Sequence, residues 1–298
     1  MENFVLSCCS TADLSVQHMQ ARNLSYVCFH YQLDGVEYVD DLGQSMSFDK
    51  FYAAMEAGAD TKTAQVNVDE YLEYFKSILE QGKDVLHVSL SSGISGSYNS
   101  ACIAAEELRP QYPDRKLYVV DSLNASSGFG LLMDRMADLR DAGMTIDELY
   151  SWVEENKKYC HAWFFSTDLT FFVKGGRVSK VSGWFGTALK ICPLLHIDAQ
   201  GKLLPRKKVR GKAAVIDKMV DTMEEMVQDG LDYNGKVYIS HSACYEDAEK
   251  VAELIEARFS ALNGRVLINN IGTTIGSHTG PGTVALFFWG KDRNQDME

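Results

Sequence analysis

The sequence predicts an α/β protein, and three observations carry the prediction. Strand-like and helix-like segments alternate from about residue 84 to residue 160, the pattern of a parallel sheet with crossover helices. Beyond about residue 160 the pattern changes, with strands joined by tight turns as well as by helices. The chain has 298 residues, which at about 150 residues per domain reads as two domains or one large one.

The elements follow in order. Residues 4–6 are a short apolar run that ends in Ser-Cys-Cys-Ser-Thr. Glu2 is acidic and no Lys or Arg occurs before Ser10, so this segment reads as a first strand, not a signal peptide. Residues 24–31 (LSYVCFHY) are rich in β-branched and aromatic side chains and read as one strand. Asp34-Gly35 is a hairpin turn, with residues 36–39 returning. A helix over 47–55 is stopped by Gly58. A stronger helix over 67–80 places Tyr71, Leu72, Phe75, Ile78 and Leu79 on one face, with Gly82 at its end.

Residues 84–90 (DVLHVSL) are a buried strand, 91–97 a Ser/Gly loop, and 100–109 a helix ended by Pro110 and Pro113. A strand over 116–120 leads to Asp121-Ser122, and a helix over 128–141 stops at Gly143. Thr145 and Glu148 form a capping box for a helix over 145–157. Strands follow at 162–166, 191–198 and 202–209, the last two joined by the turn 199–201. Then come a helix (212–230), a strand (236–241), a helix (246–261), a strand (266–271), a Gly-rich loop (272–282) and a final apolar strand (283–289).

Composition excludes several classes. Lys plus Arg number 29 against 41 Asp plus Glu, a net charge of -12. A general nucleic-acid binder needs a basic surface, so no nucleic-acid partner is expected. Hydrophobic residues make up 46% and charged residues 23%, an ordinary soluble balance. No apolar run of about 18 residues occurs, so no membrane span is expected. The seven cysteines are scattered without a C-x-x-C, which fits a reduced, cytoplasmic chain. Adjacent Cys8 and Cys9 read as small hydrophobes; nothing in the sequence nearby lowers a thiol pKa to make them a redox pair.

Six segments carry candidate chemistry. In a parallel sheet, ligands sit beyond the carboxyl ends of strands, which points to the loops 91–97 and 121–127. The first, Ser91-Ser92-Gly93-Ile94-Ser95-Gly96-Ser97, offers hydroxyls and amides at a helix N-terminus. It lacks the lysine of a phosphate loop, so it suits a single carboxylate, or else is an ordinary solvated turn. Thr61-Lys62-Thr63-Ala64-Gln65 precedes a helix, where one Thr reads as an N-cap. Gly276-Ser277-His278-Thr279-Gly280-Pro281-Gly282 reads as a tight loop presenting His278. The basic run Lys202, Arg206, Lys207, Lys208, Arg210 and Lys212 is either a docking face for an acidic partner or a solvated strand edge. The aromatic set Trp163, Phe164, Phe165, Phe171 and Phe172 is either core or the lining of a long apolar site. A Ser95–His278–Asp121 triad defines an alternative, a hydrolase or acyltransferase acting on an acyl ester. No metal-ligand spacing is present.

Taken together, the chain resembles the DegV family, the bacterial fatty-acid-binding proteins. The resemblance rests on Ser10-Thr11-Ala12-Asp13-Leu14, Lys62-Thr63-Ala64-Gln65, residues 91–98, Val120-Asp121-Ser122, Lys174-Gly175-Gly176-Arg177-Val178, Ile191-Cys192-Pro193-Leu194-Leu195 and residues 276–282, in the family's order. It implies two α/β domains, residues 1–160 with a parallel, doubly wound sheet and residues 161–298 with a mixed sheet, and a lipid tunnel between or within them. It implies a long-chain fatty acid whose carboxylate is held by Thr63, Ser95 and His278, with Ser92, Gly96, Ser122 and Gly280 shaping the supporting loops. The fatty acid would be presented to a separate fatty acid kinase that makes the acyl-phosphate. Arg177, Arg206 and Arg210 would meet that kinase. The chain itself would then have no catalytic residue, no metal and no cofactor, with transient contact with a membrane surface among its expected partners. The chain departs from the family at Cys9, where an Asp is usual, at Ala64, Val66 and Asn67 after Thr63, and at Ser97, where a Thr is usual.

Overall fold

The structure, a computed structural model, describes residues 4–178 and 191–295. Among the described residues the strands form three sheets, numbered here in chain order. The first holds β1 (Phe4–Cys9), β2 (Ser25–Val27), β6 (Asp84–Ser89) and β7 (Leu117–Asp121), all parallel, in the order β2-β1-β6-β7. The chain thus winds one way from β1 and the other way through β6 and β7, the doubly wound arrangement. Its central strands are largely buried, with the polar Ser7 and His87 held inside by a mutual hydrogen bond (2.9 Å).

The second sheet is small and antiparallel: β3 (His30–Leu33), β4 (Val36–Val39) and β5 (Thr61–Ala64), in the order β4-β3-β5. Asp34 and Gly35 both have positive φ, +50° and +81°, as the tight hairpin turn requires. The third is mixed: β8 (Cys160–Ser166), β9 (Ile191–Ile197), β10 (Leu203–Arg210), β11 (Tyr238–His241), β12 (Leu267–Asn270) and β13 (Thr283–Trp289), in the order β10-β9-β8-β13-β11-β12. Only the β11–β12 pair in it is parallel.

The helices are α1 (Val16–Ala21), α2 (Phe48–Glu56), α3 (Val68–Leu79), α4 (Ser97–Leu108), α5 (Ser126–Asp141), α6 (Ile146–Asn156), α7 (Thr170–Lys174), α8 (Lys212–Met226), α9 (Tyr245–Arg258) and α10 (Thr273–Thr279). The Thr145–Glu148 capping box starts α6 as expected. On α3, Tyr71, Phe75, Ile78 and Leu79 are buried. Each such side chain contributes about 1.5–3 kcal/mol by leaving water.

One apolar core runs from the parallel sheet (Leu6, Leu86) through α5 (Phe129, Met133) to one face of the mixed sheet (Phe164, Phe287). A second core lies on the other face, where α8 and α9 meet Trp163, Phe165 and Phe288. The period-2 alternation of β8 therefore divides the aromatic set: Phe164 faces inward, Trp163 and Phe165 outward.

Three sequence expectations are corrected. Residues 24–31 are not one strand. After β2 the Phe29 N–H donates to Ser10 Oγ (3.1 Å) and its carbonyl accepts from the Asp40 N–H (2.8 Å), so the chain leaves the parallel sheet before β3 begins. Thr61 and Thr63 are not helix caps. They lie in β5, and Asn67 caps α3 in a capping box with Glu70. His278 is not on a loop. The Gly-rich segment forms α10, because its glycines serve close packing: at Gly276 any side chain would collide with the Tyr52 hydroxyl, and Gly280 ends the helix with φ of +67°.

Candidate functional site

A partly open cavity of about 510 Å³ lies between the parallel and mixed sheets. Residues just beyond the carboxyl ends of β6 and β7 line it, next to the point where the winding reverses between β1 and β6. Leu90, Ile94, Ala125, Phe164, Ile197 and Phe287 supply much of its apolar wall. Phe172 of α7 joins them, its ring stacked on Phe164 with centroids 5.6 Å apart.

A ring of polar groups closes the cavity on one side. Thr63 Oγ1 lies 2.7 Å from His278 Nε2. The other imidazole nitrogen faces Gly175, whose carbonyl accepts from Arg177 Nη1 (2.6 Å). Arg177 Nε donates to the Ile94 carbonyl (3.3 Å), one residue before Ser95. Gly96 then packs against Gln65, which brings the ring back to within two residues of Thr63; a methyl group at Gly96 would lie 2.7 Å from Gln65 Oε1. Thr63, Gln65, Ser95, Arg177 and His278 all line the cavity.

The loop bearing Ser95 is pinned from both sides. The Asp121 carboxylate accepts from the N–H groups of Ser92 (3.1 Å) and Leu123 (3.0 Å). Ser91 Oγ donates to the Gly201 carbonyl (2.8 Å), seating the β9–β10 turn on the loop. The Ser97 N–H donates to Ser95 Oγ (3.2 Å). Helix α4 begins here with Gly96 as its N-cap, no side-chain cap and no acidic residue in its first turn. Its positive end is left without a counter-charge from its own first turn.

The Ser95 hydroxyl is thereby prepared as a donor, and the Thr63 hydroxyl can be. Ser95 Oγ already accepts a bond, so its proton is free for a ligand. For Thr63 the imidazole decides. Burial, and then the Arg177 charge, push His278 down to about 4, so it is neutral at pH 7. If Thr63 gives its proton to an anion, Nε2 must carry the imidazole hydrogen. Nδ1, which is buried and has no hydrogen-bond partner among the described residues, is then the bare nitrogen. In that tautomer the imidazole donates to the Thr63 hydroxyl, whose own proton can point into the cavity.

The other expected residues fall outside this ring. Ser92 is exposed. Ser122 is buried and its hydroxyl donates to the Asn124 carbonyl (3.0 Å) while accepting the Asn124 N–H (3.2 Å), which holds the turn after β7. Gly280 packs on Phe171. Arg206 and Arg210 lie on the exposed face of the edge strand β10, and Arg206 Nε donates to His196 Nε2 (2.8 Å). Arg177, expected with them as a docking residue, is instead part of the cavity wall and half-buried. The Ser95–His278–Asp121 triad does not form, since His278 bonds Thr63 and Asp121 is occupied by backbone amides. Sequence reasoning left Gln65 out of the site; its signal was its place two residues after Thr63 in the same strand-end segment. Cys8 and Cys9 are buried free thiols raised by burial, which disfavours a reactive pair. Among the described residues no three His, Cys, Asp or Glu side chains gather as a metal site would need, and no helix is long and apolar enough to cross a membrane.

Fold and site together define an α/β protein with an internal apolar chamber and a hydroxyl-lined polar end. A family model described as "Uncharacterised protein, DegV family" matches residues 9–291, and the chain belongs to that family. A DegV domain-containing protein of Clostridium perfringens is 36% identical, covering 97% of this chain and 98% of its own. A protein of Thermotoga maritima named as a fatty acid-binding protein is 32% identical, covering 93% and 94%. Among solved structures, a DegV lipid-binding protein of Thermotoga maritima aligns with TM-score 0.83 at 29% identity, over 98% of this chain and 100% of that one. The fatty acid kinase B3 protein of Streptococcus pneumoniae, loaded with linoleic acid, aligns with TM-score 0.81 over 98% and 100%; at 22% identity this likeness speaks to the fold.

Proposed function

We propose that this chain binds a long-chain fatty acid in the cavity between its sheets, with the carboxylate on the hydroxyls of Thr63 and Ser95 and with His278 supporting Thr63. The observation that carries the reading is a pair of hydroxyls, Ser95 accepting the Ser97 N–H and Thr63 lying 2.7 Å from His278 Nε2, set at the polar side of an otherwise apolar chamber. A carboxylate leaving water needs such donors, because an unpaired buried charge is very costly. A tail of roughly fourteen methylenes contributes about 11 kcal/mol at about 0.8 kcal/mol each, before ordering costs. The lipid-binding relatives support the ligand class.

The chain then acts as a carrier in the cytoplasm. A separate kinase phosphorylates the bound carboxylate to an acyl-phosphate, and passing contact with a membrane surface loads or unloads the ligand. The fatty acid kinase B3 protein, which shares the fold, motivates this partner. The exposed basic face of β10, with Arg206 and Arg210, is the docking surface, while Arg177 lies nearer the head group. No cofactor is needed. Native mass spectrometry followed by organic extraction tests the reading. A stoichiometric fatty acid, lost in Ser95→Ala, is expected; a chain that is empty and takes up no added fatty acid would overturn it.

A further inference from the structure

Beneath the polar side of the cavity lies a buried chain of polar groups that the proposed reading leaves unused. Ser97 opens α4, and its backbone N–H is the sole partner of Ser95 Oγ among the described residues. The Ser97 hydroxyl lies 2.8 Å from the Tyr71 hydroxyl. Tyr71 comes from α3, on a different element, and is wholly buried. Its hydroxyl also lies 3.3 Å from Cys9 Sγ at the end of β1, and Cys9 Sγ is 3.7 Å from His87 Nε2 on β6. The Tyr71 ring stacks on Phe75 at 5.3 Å and meets His87 edge-on.

A phenylalanine would fill this space as well as Phe75 fills its own. The Tyr71 hydroxyl must therefore be held by what it bonds, since a buried hydroxyl without partners is destabilising. Its partners are the end of β1 and the first residue of α4. It ties the start of that helix to the sheet below. Burial pushes Tyr71 and Cys9 up and pushes His87 down to about 3, so every member is neutral between pH 5 and 8.

We propose that Tyr71 is a positioning residue for the ligand carboxylate: by holding Ser97 in place it keeps the Ser97 N–H on Ser95 Oγ and so directs the Ser95 proton into the cavity. The role rests on the fatty-acid reading above. It acts on the head group alone and has no part in holding the tail.

The test compares binding of palmitate and of methyl palmitate to the delipidated full chain, since the ester has the tail but not the charge. Tyr71→Phe is expected to weaken palmitate roughly three- to tenfold, the scale of one hydrogen-bonded group. It leaves methyl palmitate unchanged, and the loss stays constant between pH 6 and 8. Placed on Ser95→Ala it adds no further loss, because the group it orients is gone. Ser97→Ala, which keeps the N–H but removes the anchor, reproduces the effect and carries the test if Tyr71→Phe fails to fold. Equal losses for acid and ester would mean a general packing defect and overturn the role. So would unchanged palmitate binding in both variants, or losses that multiply with Ser95→Ala. A wild-type chain that binds no palmitate refutes the fatty-acid reading itself, whereas one that binds through Ser95 and ignores Tyr71 refutes the positioning role alone.

Discussion

Replacing Thr63 by valine removes one hydroxyl while keeping the β-branched shape that suits β5. In the folded protein that hydroxyl lies 2.7 Å from His278 Nε2 and faces the cavity. Two losses follow. The ligand carboxylate loses a charge-assisted hydrogen bond, about 1.5–3 kcal/mol. The imidazole, neutral because burial lowers it to about 4, loses its partner in the free and bound states alike. That second loss lowers stability by about 1–3 kcal/mol but largely cancels in binding. Fatty acid affinity should therefore fall by roughly ten- to a hundredfold, since about 1.4 kcal/mol is a factor of ten. The melting temperature of the ligand-free protein should also drop. Isothermal titration of the delipidated chain reads the first effect and calorimetry the second. An affinity within twofold of wild type, with the thermal shift present, would show that Thr63 is only a partner of His278 and refute its place on the carboxylate.

Three further outcomes are expected. Acid should destabilise the fold from about pH 6.5 downward, because His87 and His196 are lowered to about 3 and His161 and His278 to about 4, all by burial. Their stabilising contribution is complete above the unfolded value of about 6.5 and is lost as the unfolded chain takes up protons below it, by up to about 1.4 kcal/mol per pH unit for each group. Asp13 and Asp40, raised by burial, act in the opposite sense and flatten the curve; a melting temperature constant from pH 7 to 4.5 would contradict the assignment. Gly93→Ala places a methyl 2.5 Å from the Gly201 carbonyl, which is backbone and cannot swing away, so it should cost about 1–3 kcal/mol in chemical denaturation. Asn67→Ala removes the cap of α3 and should cost about 1 kcal/mol by the same assay, with an unchanged denaturation midpoint counting against the cap.

Local features were readable because their causes are local. The Asp34-Gly35 turn, the capping box at Thr145 and the apolar face of α3 depend on residues within a few positions of one another. Glycine misled where its role was tertiary. In the 272–282 segment, glycine signalled a loop, yet Gly276 is small because Tyr52, more than two hundred residues earlier, lies against it. Residues 24–31 carry a uniform strand propensity, and only the bonds from Phe29 to Ser10 and Asp40 divide them between two sheets.

The sequence by itself determined the class of the fold and the strand-end loops where a ligand would sit, because hydrophobic periodicity and turn chemistry act over short stretches of chain. The family's ordered motifs added Thr63, Ser95 and His278 as candidates. Only the tertiary structure decided how they are placed. Thr63 and His278 meet across 215 positions of sequence. Arg177 turns inward to the cavity wall, and Asp121 is spent on backbone amides, which leaves no triad. Such pairings are set by how sheets and helices pack, and packing depends on the sum of many distant contacts that no single segment encodes.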